Sequence, residues 1–157
     1  MSSELLLDST EYVRSDKDTH FTGALAQNAV KTENISFPAD WVTMGLRKAK
    51  IVDIKIISDQ QLAWDVKFYS KDTHAVTTDL DADSFIRTFK FDASAGVQEA
   101  GADQYYYDID PSEFPFVYID EDGTSEFHVT LVNRSATPKT AGAAGEVVVI
   151  IQAIPIC

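Results

Sequence analysis

The sequence predicts an all-β fold, an antiparallel sandwich of two sheets that we expect to be a jelly roll of about eight strands. Three observations lead to this class. Short apolar and polar alternations recur along the chain, turn-forming residues separate them, and almost no window repeats apolar residues at the helical period of about 3.6. At 157 residues the chain has the size of one ordinary domain.

The first 33 residues predict an extension of the domain rather than a part of it. They are polar and show no alternation from which a core could be built. Residues 22–30 form either one short helix or part of an extended arm. We therefore divide the chain into an N-terminal arm, residues 1–33, and a β-sandwich domain, residues 34–157. The arm is expected to lie on neighbouring molecules.

The first strong strand signals come from residues 51–57 and 61–68. In the second segment Leu62, Trp64, Val66 and Phe68 alternate with polar or small residues, which is the period of a half-buried strand. Residues 58–60 supply turn chemistry between the two segments. The pair therefore predicts an antiparallel hairpin.

Residues 116–120 and 127–132 predict a second hairpin. The sequence between them contains Asp122-Gly123, a dipeptide that tight turns favour because both residues tolerate a positive φ. In the return strand the apolar residues alternate with His128 and Thr130. We expect these two polar side chains to point outward.

Five further segments predict strands: residues 34–37, 75–78, 85–91, 105–109 and 147–156. The last of them is apolar on both faces, which is the pattern of a strand that is covered on both sides. Another subunit is one candidate for the second cover. Val148 and Ile150 are therefore candidate interface residues.

The net charge of −12 comes mostly from one segment, residues 92–126, which holds ten acids and no lysine or arginine. We interpret these acids as solvated loops and strand edges; the alternative is a face for a basic partner or a divalent cation. The acid excess would repel phosphate, so we expect no nucleic-acid partner. The dense basic cluster of the chain is Arg47, Lys48, Lys50 and Lys55.

No segment predicts export or membrane insertion. The N-terminus is acidic and lacks the apolar stretch of a secretory signal, and the longest apolar run, residues 147–151, is far shorter than the about 20 residues of a membrane helix. We expect a protein that is made and used without export and has no membrane partner.

No residue pattern predicts catalysis, a metal or a cofactor. His20, His74 and His128 lack metal-ligand spacing and are expected at the surface or partly buried, and Cys157 is the terminal residue. Two alternatives remain open. One is a calcium loop formed by Asp120, Glu121, Asp122 and Glu126. The other is a carboxylate pair for glycoside hydrolysis, drawn from Glu99, Asp108, Asp110 and Glu113. We expect a protein that is not an enzyme.

Four aromatic residues are candidate contact residues. Tyr105, Tyr106 and Tyr107 are consecutive, and on a strand they cannot all face inward. An outward tyrosine suits a protein interface or a sugar-stacking platform, or it lies under a loop. Trp41 is open to the same interpretations, whereas Trp64 is expected in the core.

Two stretches of sequence carry a resemblance to a known family. They are FHVTLVNRSATPKTAGAAGEVVVIIQAI, residues 127–154, and IVDIKIISDQQLAWDVKFYS, residues 51–70. The order of strand, small-residue loop and apolar final strand resembles the small jelly-roll decoration proteins, also called cement proteins, of tailed bacteriophage capsids.

The resemblance implies a structural virion protein on the outer capsid surface. Such a protein would form a homotrimer and bridge subunits of the major capsid protein, and it would need no catalytic residue. We expect Arg47, Lys48 and Lys50 to meet an acidic capsid surface. The alternative function is a carbohydrate-binding module of an adhesin or tail protein, with Trp41 and the three tyrosines as stacking rings.

Overall fold

A computed structural model describes residues 10–72 and 83–156 of the chain. The described part contains ten strands and one short α-helix. The strands are β1 (Glu11–Arg14), β2 (Val30–Ser36), β3 (Lys48–Ser58), β4 (Trp64–Tyr69), β5 (Phe85–Phe91), β6 (Val97–Gln98), β7 (Tyr105–Tyr107), β8 (Phe116–Ile119), β9 (Glu126–Asn133) and β10 (Val147–Ile156). The helix is α1 (Ala39–Thr43), and three single 3-10 turns lie at Ala93–Ala95, Pro111–Glu113 and Ala143–Gly145.

The strands form two antiparallel sheets. The six-stranded sheet has the order β1-β10-β3-β7-β6, with β8 beside the first residues of β3. The four-stranded sheet has the order β2-β9-β4-β5. Two layers of antiparallel strands around one core confirm the predicted all-β sandwich.

The topology is that of a jelly roll. If β6 and β7 are treated as an insertion, eight strands remain, and their orders are β1-β10-β3-β8 and β2-β9-β4-β5. Consecutive strands of this set lie in opposite sheets everywhere except at β4 and β5, which pair with each other. The chain therefore crosses the sandwich at nearly every connection, as a double Greek key does.

Both predicted hairpins are wrong for this reason. β3 pairs with β10, β7 and β8, whereas β4 pairs with β5 and β9 in the other sheet. In the same way β8 pairs with β3, and β9 pairs with β2 and β4. Each turn segment spans the gap between the sheets. Leu62, which lies in the first of these connections, is buried in the core.

The structure also corrects the predicted arm. β1 pairs with β10, and β2 pairs with β9, so residues 10–33 supply strands to both sheets. Val13, Phe21 and Leu25 belong to the hydrophobic core. The described residues before residue 34 are therefore an integral part of the sandwich. Residues 22–30 hold a turn and an isolated bridge between Leu25 and Lys139 instead of a helix.

The core between the sheets is rich in aromatic rings. Phe68 of β4 lies at its centre, with ring-centroid distances of 5.7 Å to Phe116, 6.0 Å to Tyr118 and 6.0 Å to Phe89. Trp64 is also fully buried, as predicted. Since these rings come from both sheets, their edge-to-face packing holds the two layers together.

The remaining predictions have mixed outcomes. Segments 34–37, 85–91, 105–109 and 147–156 correspond to β2, β5, β7 and β10, whereas 75–78 lies outside the described residues. The sequence did not predict α1, whose Trp41 side chain is buried. Among the described residues no helix is long and apolar enough to cross a membrane.

Candidate functional site

The candidate functional site is the outer face of the six-stranded sheet, the face that points away from the four-stranded sheet. The strand registers place on it every second residue of β1, β10, β3, β7, β6 and β8. Its apolar members are Tyr12, Ile57, Val97, Tyr106, Val117, Ile119, Val148, Ile150, Ile154 and Ile156.

Large apolar side chains are concentrated on this outer face. Of the large hydrophobic residues that are exposed in the described chain, four lie here: Tyr12 at 51%, Val97 at 55%, Val117 at 52% and Ile119 at 39%. The other two, Val42 and Met44, lie on or next to α1. Exposed apolar side chains concentrated on one face of a sheet are typical of an interaction site on a protein.

Cations border the apolar residues on the same face. Lys48 and Lys50 of β3 are exposed beside Ile119 and Val117 of β8. No salt bridge to either lysine is found within residues 10–72 and 83–156. Arg14 of β1 is exposed too and stacks on Tyr12, with 5.5 Å from guanidinium carbon to ring centre.

Lys55 is the cation on this face that is already paired. Its Nζ donates to Tyr106 Oη at 2.6 Å and to Asp108 Oδ1 at 2.7 Å, and it lies 3.3 Å from Asp53 Oδ2. The hydrogen bond to Asp108 raises the pKa of Lys55 above its ordinary value. The outer face therefore carries a net positive charge, although the whole chain carries −12.

The structure brings together some predicted contact residues and separates others. Lys48, Lys50, Tyr106, Val148 and Ile150 all lie on the outer face. Arg47 is exposed but lies elsewhere: its guanidinium packs against Gly123, where a Cβ atom would come within 2.7 Å of it.

Three aromatic predictions need correction. Trp41 and Tyr107 are fully buried, and Tyr105 packs partly buried against the core. The physical reason is strand alternation, which turns Tyr105 and Tyr107 toward the four-stranded sheet and leaves only Tyr106 outside. Trp41 is drawn inward by α1, where its ring lies 5.6 Å from Phe37 in an edge-to-face contact.

A second polar feature is buried in the β8–β9 connection, residues 120–125. Asp120 and His128 are both fully buried, and His128 Nε2 lies 2.9 Å from Asp120 Oδ1. Asp120 Oδ1 also accepts the Asp122 N–H, and its Oδ2 accepts from the Thr124 hydroxyl and the Glu126 N–H. We call this cluster the His128 junction.

The prediction of a surface or partly buried His128 is wrong, and of the acids predicted to be solvated at this turn Asp120 is buried, whereas Glu121 and Asp122 are exposed. His128 lies on the face of β9 opposite the core, yet its ring is completely covered. Asp120 turns inward because its carboxylate satisfies the N–H groups of the crossing connection. Burial raises the pKa of Asp120, but the hydrogen bonds from His128 and from the Glu126 N–H outweigh burial, so this pKa lies below its ordinary value.

The His128 junction does not have the character of a calcium loop. Asp120, Asp122 and His128 offer ligand atoms within 4.8 Å of one another. However, hydrogen-bond donors already occupy the acceptor positions of the Asp120 carboxylate. Glu121 points away and accepts from the Ser70 hydroxyl.

The acids of the hydrolase alternative are dispersed among different partners. Asp108 pairs with Lys55, Asp110 accepts the Ser112 N–H, and Glu113 pairs with Arg87. Asp108, Asp110 and Glu113 border one open cavity of about 380 Å³, but each of these three carboxylates is held by a separate structural contact, and Glu99 lines a different cavity.

The long loop after β9 contains a buried lysine. Lys139 is 2% exposed, and its Nζ donates to Gly23 O at 2.7 Å and to Thr140 O at 3.3 Å. Burial lowers the pKa of Lys139. It borders a cavity of about 320 Å³, but its contacts tie the segment before β2 to the loop. We assign Lys139 a structural role.

Substitution of Asp120 is expected to destabilise the fold. Asp120→Asn leaves buried N–H groups without a full set of acceptors and removes the anion beside His128, which should cost about 3–5 kcal/mol of unfolding free energy. Asp122→Asn, at a partly exposed position 3.9 Å from His128 Nε2, is the matched control and should cost less than about 1 kcal/mol. Urea unfolding of both variants measures the difference.

The same carboxylate gives a pH signature. Because the folded pKa of Asp120 is depressed, its contribution to stability is present above the unfolded value of about 3.9 and is lost as pH falls through the folded pKa. The acid limb of the stability curve should therefore flatten in Asp120→Asn. Equal losses of unfolding free energy in Asp120→Asn and Asp122→Asn would contradict the structural role of Asp120. An acid limb that is the same in Asp120→Asn as in the natural chain would contradict it too.

No family model matches the chain, and no curated protein matches its sequence. The proposed function therefore rests on the fold and on the chemistry of its surface.

Proposed function

We propose that this chain is a non-enzymatic structural protein of a bacteriophage virion, acting as a homo-oligomer on the outside of the capsid. The observation that supports the proposal is the outer face of the six-stranded sheet, which combines exposed apolar side chains with Lys48 and Lys50, two exposed lysines that have no salt bridge to a described residue. This surface favours binding, since the free energy falls when a partner removes its apolar residues from water.

The outer face is large enough for a stable contact. The ten-residue strand β10 spans about 33 Å, and four adjacent strands span about 19 Å, so the face covers about 600 Å². A standard protein interface buries about 800 Å² on each partner. The outer face and the side chains at its rim reach that order of size.

The charge distribution indicates that the partner bound to the outer face is a second copy of this chain. Two outer faces placed against each other would each carry a net positive charge, which is repulsive. The acidic segment 92–126 offers a complementary surface instead, and its Glu99 and Asp103 are exposed next to β6. A contact between the outer face of one copy and this acidic edge of the next is head-to-tail, the type that closes into rings such as trimers.

Attachment to the capsid rests on the resemblance of residues 51–70 and 127–154 to decoration proteins. In this proposal the ring binds the major capsid protein, and most of its excess of acids faces outward. Particles purified from cells that produce the chain should contain it in a fixed ratio to the major capsid protein, as measured by quantitative mass spectrometry. Its absence from such particles would contradict this part of the proposal.

Charge reversal at the outer face should break the oligomer. The double variant Lys48→Glu/Lys50→Glu places carboxylates opposite the acidic edge, and we expect its self-association constant to fall at least tenfold, which corresponds to about 1.4 kcal/mol. The matched control is Lys67→Glu/Lys90→Glu, which changes the net charge equally on the outside of the four-stranded sheet. Sedimentation equilibrium measures both.

A charge swap tests which surface of the second copy contacts the outer face. Adding Glu99→Lys/Asp103→Lys to the Lys48→Glu/Lys50→Glu variant should restore association if the acidic edge is the partner surface. Dissociation without rescue would show that a different surface meets the outer face. Undiminished association of the Lys48→Glu/Lys50→Glu variant would refute the assignment of the interface.

A further inference from the structure

The six-stranded sheet has a gap beside the middle of β3. On one side of this strand, β7 pairs with residues 56–58 and β8 pairs with residues 48–51, so residues 52–55 have no neighbouring strand there in the described chain. The connection between β7 and β8, residues 108–115, borders the gap. The result is a cleft of about 520 Å³ in the outer face, a size that suits a small ligand.

A β-bulge shapes the wall of the cleft that β3 supplies. The pairing of β10 with β3 shifts by one position, so that Val52 is an extra residue between Ile51 and Asp53. Ile51 and Ile54 are both fully buried, although regular alternation turns residues three apart to opposite faces. The bulge allows both isoleucines to face the core, and it places Val52 and Asp53 together at the cleft.

A hydrogen-bonded network holds polar side chains of the cleft in place. Lys55 Nζ donates to Asp108 Oδ1 and to the Tyr106 hydroxyl, which itself donates to Asp108 Oδ1 at 3.0 Å. The same ammonium group lies 3.3 Å from Asp53 Oδ2. Since an ammonium group has three N–H donors, all of them have an acceptor within the protein. Lys55 therefore positions the two carboxylates and leaves the contacts with a ligand to them.

The cleft contains polar atoms that no described residue uses. The contacts of Lys55 and Tyr106 involve Asp53 Oδ2 and Asp108 Oδ1, so the second oxygen of each carboxylate remains for a ligand. The side-chain amide of Gln152 borders the same cleft and makes no hydrogen bond to the described part of the chain. Together these groups offer two acceptors and an amide that can donate and accept.

The wall supplied by the β7–β8 connection is largely apolar. Ile109, Pro111 and Phe114 line the cleft from this side. The Phe114 ring stacks on Phe89, with 5.2 Å between ring centres and 11° between ring planes, which fixes its orientation. An apolar wall beside a few fixed polar groups suits a ligand that has both hydroxyl groups and C–H surfaces.

We propose that this cleft binds one sugar residue of a neutral glycan, an activity that does not depend on self-association of the chain. Sugar hydroxyls donate to the carboxylates and exchange hydrogen bonds with the amide, while the C–H groups of the ring contact the apolar wall. Two carboxylates repel a phosphate or an acidic sugar, and Lys55 repels a cationic ligand. The cleft is not the aromatic platform of Trp41, Tyr105 and Tyr107, since these side chains are turned toward the core.

Protein NMR of the full chain tests the site directly. The neutral probes are the methyl glycosides of glucose, galactose and mannose, and glucuronic acid is the acidic comparison. We expect at least one neutral glycoside to shift the amide signals of residues 52–55 and 108–114 and the side-chain amide signals of Gln152, with a Kd of about 1 mM for a ligand of this size. Glucuronic acid should bind at least about tenfold more weakly.

Two variants distinguish binding at the cleft from binding elsewhere. Asp53→Asn should raise the Kd of the glycoside about tenfold, and Gln152→Leu about threefold, because each removes a hydrogen bond to the ligand. The matched controls are Asp40→Asn and Gln27→Leu, which change exposed side chains outside the cleft and should leave the Kd unchanged. If a cleft variant does not fold, the signals that shift in the natural chain decide whether the sugar lies in the cleft.

The same titrations are made on the Lys48→Glu/Lys50→Glu variant, in which we expect the subunits to separate. Binding by this variant alone would show that a subunit contact covers the cleft, and it would support the site as binding by both forms does. The proposal is overturned if neither form binds a neutral glycoside, if neither cleft variant weakens binding, or if glucuronic acid binds equally well. None of these results depends on the oligomeric mass, which tests the proposed function separately.

Discussion

A chain that begins at residue 34 is expected not to fold. The deletion removes β1 and the first residues of β2, so β10 and β9 lose hydrogen-bonded neighbours. It also removes Val13, Phe21 and Leu25 from the core. Each buried side chain of this kind contributes about 1.5–3 kcal/mol, and the total approaches the about 5–15 kcal/mol that stabilises a typical domain. Far-ultraviolet circular dichroism and soluble yield measure the outcome.

The control for this deletion is a chain that begins at residue 10. It keeps every strand and every core residue of the described part of the chain, so it should fold with the circular dichroism spectrum of the full chain. A folded chain of residues 34–157 would restore the arm that the sequence predicts and would contradict the strand pairing of β1 with β10.

Phe68→Ala should be the most destabilising single core substitution among those considered. The ring is fully buried and contacts aromatic rings of both sheets. Truncation removes its transfer free energy and leaves a cavity that rigid neighbours cannot fill, at a cost of about 3–5 kcal/mol. Because this loss rivals the stability of an ordinary domain, we expect a large drop in the urea midpoint.

Phe85→Ala is the matched control for Phe68→Ala. Phe85 is half-buried at the first position of β5, and its ring contacts Tyr69 at 5.7 Å. The same chemical change should cost about 1 kcal/mol there, since most of the lost contact is replaced by water. Similar losses at both positions would show that Phe68 is not at the centre of the core.

The sequence was a good guide to which face of each strand is buried. In residues 61–68 the alternation of Leu62, Trp64, Val66 and Phe68 with polar residues identified the inward side correctly, and all four side chains are buried. Alternation reflects burial because a strand turns successive side chains to opposite faces. The all-β sandwich follows from a series of such segments.

Alternation does not reveal which strand lies next to which. Residues 58–60 and 121–123 have turn chemistry, and a short turn suits a hairpin as well as a crossing between sheets. The jelly-roll prediction implies that these segments do not pair with each other, because that topology places consecutive strands in opposite sheets. The two hairpin predictions and the fold prediction were incompatible, and the fold prediction is the one that is confirmed.

The outer face was only partly predictable. The doubly apolar pattern of residues 147–156 indicated Val148 and Ile150, and the basic cluster indicated Lys48 and Lys50. Val117 and Ile119 were missed, although residues 116–119 are apolar on both faces as well. The sequence contains this doubly apolar pattern, but the Asp-Gly turn that follows it favours the prediction of a hairpin.

The His128 junction could not be predicted from the sequence. Asp120 and His128 are only eight residues apart. The side chains that continue the contacts of the His128 ring, Asn34 and Asp72, come from distant segments that the jelly-roll topology brings together. An acidic turn with an Asp-Gly step is usually solvated, so nothing local marked Asp120 as buried. Tertiary structure decided the environment of these residues.

The measurement that tests the central claim most directly is the native mass of the full chain at micromolar concentration. If the outer face of the six-stranded sheet is a subunit interface, native mass spectrometry will show a closed oligomer, with the trimer as the expected species. The oligomer should weaken as salt concentration rises, because exposed charges border the contact. A monomer that persists at all concentrations and at low salt would contradict the account.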